Sequence, residues 1–161
     1  MNITYRIVLS TALSLGALAC SKSSDEAKAP ERLQEASTIT LAELDNLKVD
    51  VAEGTEPNKM GGELMIMSMD ESFTVGPVSS STPATLDDAK KVAAEEKGAE
   101  IKSGSLDDGW WISYQAPSSL GESFYLKVRR EIAGKSYICQ TSVGHKSLRD
   151  GALAACKSLR P

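Results

Sequence analysis

One histidine, His145, and three cysteines, Cys20, Cys139 and Cys156, are all that the 161 residues hold of the two residue types most used in nucleophilic and metal chemistry. A Ser-His-Asp arrangement would have to use His145. It sits in "SVGHKS", with no Gly-x-Ser-x-Gly in the chain, and "GHKS" lacks the glycine-rich frame of a phosphate loop. There is no Cys-x-x-Cys pair, and no histidines or carboxylates fall at zinc spacing. Neither "DESFTVG" nor "SLDDGWW" alternates oxygen ligands as a calcium loop does. Aromatic residues make up 5% of the chain and the formal net charge is −4, which together argue against a nucleic-acid partner. No catalytic residue, metal or cofactor is therefore expected. The carboxylate pairs Asp70-Glu71, Asp87-Asp88, Glu95-Glu96 and Asp107-Asp108 read as solvated charge, because acid–base work by two carboxylates needs a spatial separation that spacing alone does not define.

Long hydrophobic runs are also scarce. One apolar, small-residue stretch runs from Ile7 to Ala19 behind the single charge of Arg6, shorter than the ~20 residues of a permanent membrane span. A short positive region followed by an apolar segment of this size reads as a secretory signal. It ends in "LGALAC", with Ala17, Leu18 and Ala19 before Cys20. This stretch resembles the lipobox of a bacterial lipoprotein precursor, with Ala17 where Leu is usual and Leu18 where a small residue is usual. The resemblance implies cleavage after residue 19, lipidation of the Cys20 thiol and acylation, palmitate included, of its new amino terminus. Two or more chains anchor stably, since each buried methylene contributes ~0.8 kcal/mol and one chain is marginal. Ser21 after the cysteine, rather than Asp, implies outer-membrane sorting, with the domain facing the periplasm.

Residues 20–40 are polar, carry Pro30 and sustain no apolar face; they read as a tether with a reach of about 25 Å as flexible coil. Residues 41–161 are expected to form one domain. In an exported chain the two remaining cysteines suggest a Cys139–Cys156 disulfide, contributing on the order of 3 kcal/mol. Charge is uneven. From Cys20 to Gly121 there are nine Lys/Arg against nineteen Asp/Glu, and from Glu122 onward eight against three. A basic face of this kind suits an anionic partner, or complements the acidic part of the same protein.

Within the domain, "LKVDV" (47–51) alternates as a strand, "EGTEPNKMGG" (53–62) is turn chemistry, and "ELMIMSM" with "SFTVGPV" reads as a hairpin around Asp70-Glu71. Leu64 and Ile66 share one face of the first strand; Met65, Met67 and Met69 share the other, where thioethers either fill core gaps or line an adaptable binding surface. Thr85 and Asp88 open a helix over about 85–97 that ends at Gly98. In "WWISYQA" (110–116) Trp110, Ile112, Tyr114 and Ala116 alternate with Trp111, so one tryptophan points away from the main core. "SFYLKVRREI" and "SYICQTSV" form a further hairpin, with Phe124, Leu126 and Val128 inward and Lys127 and Arg129 outward. A C-terminal helix over about 147–159, opened by Ser147 and Asp150, turns Leu148, Ala152, Ala155, Cys156 and Leu159 inward.

The expected fold is α+β, an antiparallel sheet covered by the central helix and by a disulfide-stapled C-terminal helix. This element order resembles the PsbP-like α/β/α arrangement, whose members are mostly non-catalytic accessory or assembly factors. The function expected is that of a lipid-anchored, non-catalytic binding or accessory module with an envelope protein partner, its contact surface formed by Trp111, Lys127, Arg129 and Lys135. An inhibitor or immunity-type lipoprotein is the alternative. An envelope hydrolase would have to use His145 or an acidic pair.

Overall fold

Residue alternation with period two dominates the chain, and the computed structural model, which describes residues 36–161, turns it into nine strands and two helices among those residues. The signal segment, Cys20 and most of the expected tether lie outside the described residues. β1 (Ala36–Leu41) and β2 (Leu47–Ala52) form a separate antiparallel pair. β3 (Pro57–Met60), β4 (Glu63–Met67), β5 (Ser72–Pro77), β6 (Ala99–Leu106), β7 (Gly109–Ser118), β8 (Gly121–Ile132) and β9 (Lys135–Val143) make one antiparallel sheet. Its strand order is β3-β4-β5-β9-β8-β7-β6, so β9 lies in the middle.

Two strands were not expected. β1 occupies residues 36–40 of the stretch read as tether, and its Thr38-Ile39-Thr40 run has the β-branched character that suits a strand. β3 falls inside the stretch read as turn: its four residues are all exposed and it starts with Pro57, which is tolerated because β3 is a sheet edge.

The helices, α1 (Leu86–Glu95) and α2 (Lys146–Ser158), sit on opposite faces of the sheet. α2 covers the face of Val75, Leu126, Val128 and Cys139 and is tied to β9 by the Cys139–Cys156 disulfide, as the cysteine count suggested. The β1–β2 pair packs into the same core through Leu41, Leu47, Val49 and Val51, each worth about 1.5–3 kcal/mol on full burial. The C-terminus closes it down: the Lys48 amide donates to the Arg160 carbonyl (2.8 Å), the Arg160 amide donates back (3.1 Å), and the Arg160 guanidinium donates to both oxygens of Asp50. The helix itself departs from expectation at its start. His145 is the N-cap and makes no side-chain cap bond. Arg149, rather than Leu148, is the buried residue of the first turns, set over the Phe124 ring and bonded to Asp150. No helix among the described residues is long and apolar enough to cross a membrane.

The expected central helix over the sheet is a correction. The Thr85 hydroxyl accepts from the Asp88 amide and donates to its carboxylate, which starts α1 where the sequence placed it. α1 then packs only on the β6–β7 end, its Ala89 and Ala93 against Trp110, Ile112, Tyr114 and Ala116. Two small buried side chains on a ten-residue helix cover two strands of the seven, not the sheet.

Candidate functional site

The half of the sheet face that α1 leaves open is where unpaired chemistry collects. Residues directly opposite one another in an antiparallel sheet point to the same face. One transverse row therefore runs Asn58, Met65, Thr74, Gln140, Lys127, Ile112 across β3, β4, β5, β9, β8 and β7. Ile112 is fully buried beneath α1, whereas Lys127, Gln140, Thr74 and Met65 are half-buried in the open. They floor a groove of about 380 Å³ whose walls include Ser72, Ser142, Tyr125 and Glu96. A smaller hollow of about 130 Å³ continues from Lys127 and Gln140 toward Glu63, Ser79 and Thr82.

The walls are fixed from behind. The Tyr125 ring stacks on Tyr114, with centroids 5.1 Å apart, and the Tyr114 hydroxyl donates to the Glu96 carboxylate just past the end of α1. Burial, with the Glu96 carboxylate second, raises the Tyr114 pKa far above its ordinary value, so the phenol remains a donor. At the other end, Arg129 donates to the Pro83 carbonyl (3.4 Å) and to Ser136 (3.3 Å), and the Trp110 indole donates to the Ala84 carbonyl (3.4 Å). These bonds hold the 78–85 loop against the sheet. Among the described residues no carboxylate pairs with Lys127, while Glu96 already accepts from Tyr114. The groove thus presents a cation without an ion-pair partner among the described residues, an amide, hydroxyls and a thioether. In chemical terms that set complements a group with both an anionic and an apolar part.

The four residues expected to share a contact surface do not share one. Lys127 lies in the groove. Arg129 is on the same face but is spent on the loop. Lys135 is the first residue of β9, beside the β8–β9 turn, paired to Asp45 at 2.6 Å. Trp111 is on the opposite face, half-buried against the α2 core, and the Lys157 ammonium lies 4.2 Å from its ring centroid. The ring that points away from the α1 side is thus covered by the chain's own last helix. The methionine face also departs from the core-filling reading: Met67 and Met69 are 60% and 92% exposed.

The sequence reading missed Thr74, Gln140, Tyr125 and Glu96. The signal for the first two was present as polar positions alternating with Phe73, Val75 and Cys139, but a shared row is visible only once β5, β9 and β8 are paired. His145 is exposed, and among the described residues it has no hydrogen-bonded hydroxyl or carboxylate. No set of three His, Cys, Asp or Glu side chains among the described residues is grouped to hold a metal ion. No protein-family model matches the chain, and no curated protein matches it.

Proposed function

We propose that this is a lipid-anchored cell-envelope protein that acts by binding, as an accessory or assembly module, and that the groove on the open half of the sheet is its contact surface. The observation that carries this reading is the half-buried Lys127, with no ion-pair partner among the described residues, in a groove floored by Met65, Thr74 and Gln140. A partner presenting an acidic side chain to Lys127 and apolar surface to Met65 fits it. The lipoprotein-like N-terminus supports an address at the membrane, most simply the periplasmic side of the outer membrane. The resemblance of the sequence's element order to the PsbP-like arrangement is in keeping with a non-catalytic accessory role.

The test is site-directed photo-cross-linking in native cells. A cross-linker at Gln140 should capture one protein, which also copurifies stoichiometrically from detergent-solubilised membranes and is lost with Lys127→Glu. A cross-linker at Lys90, on the exposed face of α1, should capture nothing. Equal capture from both positions, or none from either, overturns the reading. If the captured protein is an envelope enzyme or toxin whose activity falls on binding, the inhibitor form of the same reading holds.

A further inference from the structure

Glu71 is the one carboxylate of the described residues that is nearly closed off from solvent, at 6% exposure, and it is only half satisfied. One oxygen accepts from the Ala52 amide at 2.8 Å; the other has no hydrogen-bond partner among the described residues. Nor is that second oxygen sealed in. Among the described residues the only fully enclosed side-chain polar atom without a partner is the Thr55 hydroxyl, so the free oxygen of Glu71 opens onto the groove that it lines. This groove, of about 410 Å³, lies between β2 and α2, on the side of the sheet away from Lys127. Val51 and Ala52 line it from β2. Gly151, Ala154 and Ala155 line it from one face of α2. Gly151 lets the helix come down on the β4–β5 turn, since a Cβ there would stand 2.3 Å from the Asp70 carbonyl oxygen. The remaining polar groups of the lining are already used. Asp50 accepts from the Arg160 guanidinium, and the Ser158 hydroxyl donates to the Ala155 carbonyl at 2.7 Å and accepts from the Asp50 amide at 2.8 Å.

We infer that the β2–α2 groove binds a small organic amine, a primary ammonium on a short alkyl chain, with the ammonium donating to the free oxygen of Glu71 and the chain lying along Ala52, Ala154 and Ala155. An apolar lining with one placed polar group is the usual form of a small-molecule site. A carboxylate offers only acceptors, so its complement is a donor, and charge selects a cation. Asp70 stands beside Glu71 on the same turn, Asp50 on β2 is held by Arg160, and α2 brings no charged side chain into the lining. Burial raises the Glu71 pKa, and a bound ammonium would oppose that rise. A metal ion fits poorly, because no three His, Cys, Asp or Glu side chains among the described residues are grouped to hold one. A protein partner fits poorly too, because the lining has none of the Trp, Tyr or Arg that anchor such contacts.

The experiment titrates n-pentylamine into the full chain at pH 7, with n-pentanol as the uncharged match, and follows the methyl resonances of labelled alanine. The Ala52, Ala154 and Ala155 methyls should shift together and saturate with n-pentylamine, and n-pentanol should bind at least tenfold more weakly. Glu71→Gln keeps an acceptor for the Ala52 amide; it should weaken the amine at least tenfold and leave n-pentanol unchanged. Ala154→Phe, at an exposed position of α2, fills the groove and should abolish both with an unchanged circular dichroism spectrum. Amine affinity should also fall as pH is lowered from 7 toward 4.5, because Glu71 takes up a proton while the amine, with a pKa of about 10, stays charged. Lys127→Glu, on the other face, should change nothing. Shifts that grow without saturating, equal affinity for amine and alcohol, or binding retained in Glu71→Gln or Ala154→Phe overturn the site. Binding lost in Lys127→Glu overturns it as well, by moving the amine to the other groove.

Discussion

Cys139, on the middle strand of the seven-stranded sheet, is bonded to Cys156 on α2, 17 positions further along the sequence, and both side chains are fully buried. The bond ties the helix that covers one face to the strand that every other strand is built around. Closing a loop of this size removes unfolded-state freedom worth about 3 kcal/mol. Replacing both cysteines by alanine should therefore lower Tm by roughly 10 °C, measured by calorimetry, and a reducing agent should produce the same loss in the unmodified protein. An unchanged Tm would mean that the α2 interface is carried by packing alone.

A second prediction concerns Glu71, which is 6% exposed in the β4–β5 turn, where it accepts from the Ala52 amide at 2.8 Å. Burial raises its pKa, and nearby Asp70 adds to the rise, against the lowering effect of the Ala52 bond. A carboxyl whose folded pKa is raised binds its proton more tightly folded than unfolded. Its contribution to stability is fully present below the ordinary value near 4.5 and is lost as pH rises through the folded value. Glu71→Gln keeps the acceptor for Ala52 and removes the titration. The wild type should gain stability relative to this variant as pH falls from 7 toward 4.5. Denaturant unfolding at several pH values measures it, and parallel curves would refute it. Asp45, Asp50, Asp88 and Asp150 have lowered pKa values, so their losses fall below about 3.8 and leave this window clear.

Glu71 also shows how far the sequence could be read. Its turn was legible from the two flanking alternating segments, but its burial was not, because the end of β2 and the Gly151 turn of α2 come from elsewhere in the chain to meet it. The same limit applies more widely. Local signals located both helices, the Thr85–Asp88 cap and the strands rich in Val, Ile, Phe and Trp. β3 was missed because an exposed edge strand needs no alternation, and α1 was taken to cover the whole sheet because helix length says little about how many strands lie beneath it. The groove row Met65–Thr74–Gln140–Lys127 depends on four strands from three parts of the sequence. Alternation supplied each member but not their meeting.

The N-terminal reading gives a third prediction. Cys20→Ser should leave the chain uncleaved or soluble, and should abolish incorporation of labelled palmitate, both followed by fractionation of whole cells. Palmitate label that persists in the variant would show that the anchor is not on Cys20.

The last prediction separates the two faces of the sheet. Trp111 is packed on the α2 side beneath Lys157, and Gly104 on β6 makes room for it, since a Cβ there would come within 2.6 Å of its indole nitrogen. Lys127 stands on the other side, in the groove, with no ion-pair partner among the described residues. Trp111→Ala removes half-buried packing and a cation–π contact, and should cost about 1–3 kcal/mol while leaving partner capture at Gln140 intact at a temperature where the variant is folded. Lys127→Glu should change stability by no more than about 0.5 kcal/mol and abolish capture. Thermal unfolding and cross-linking yield, measured on both variants, give four readings. The opposite pattern, with capture lost in the tryptophan variant and kept in the lysine variant, would move the contact surface to the α2 face, where Lys157 would have to leave the Trp111 ring before anything could bind.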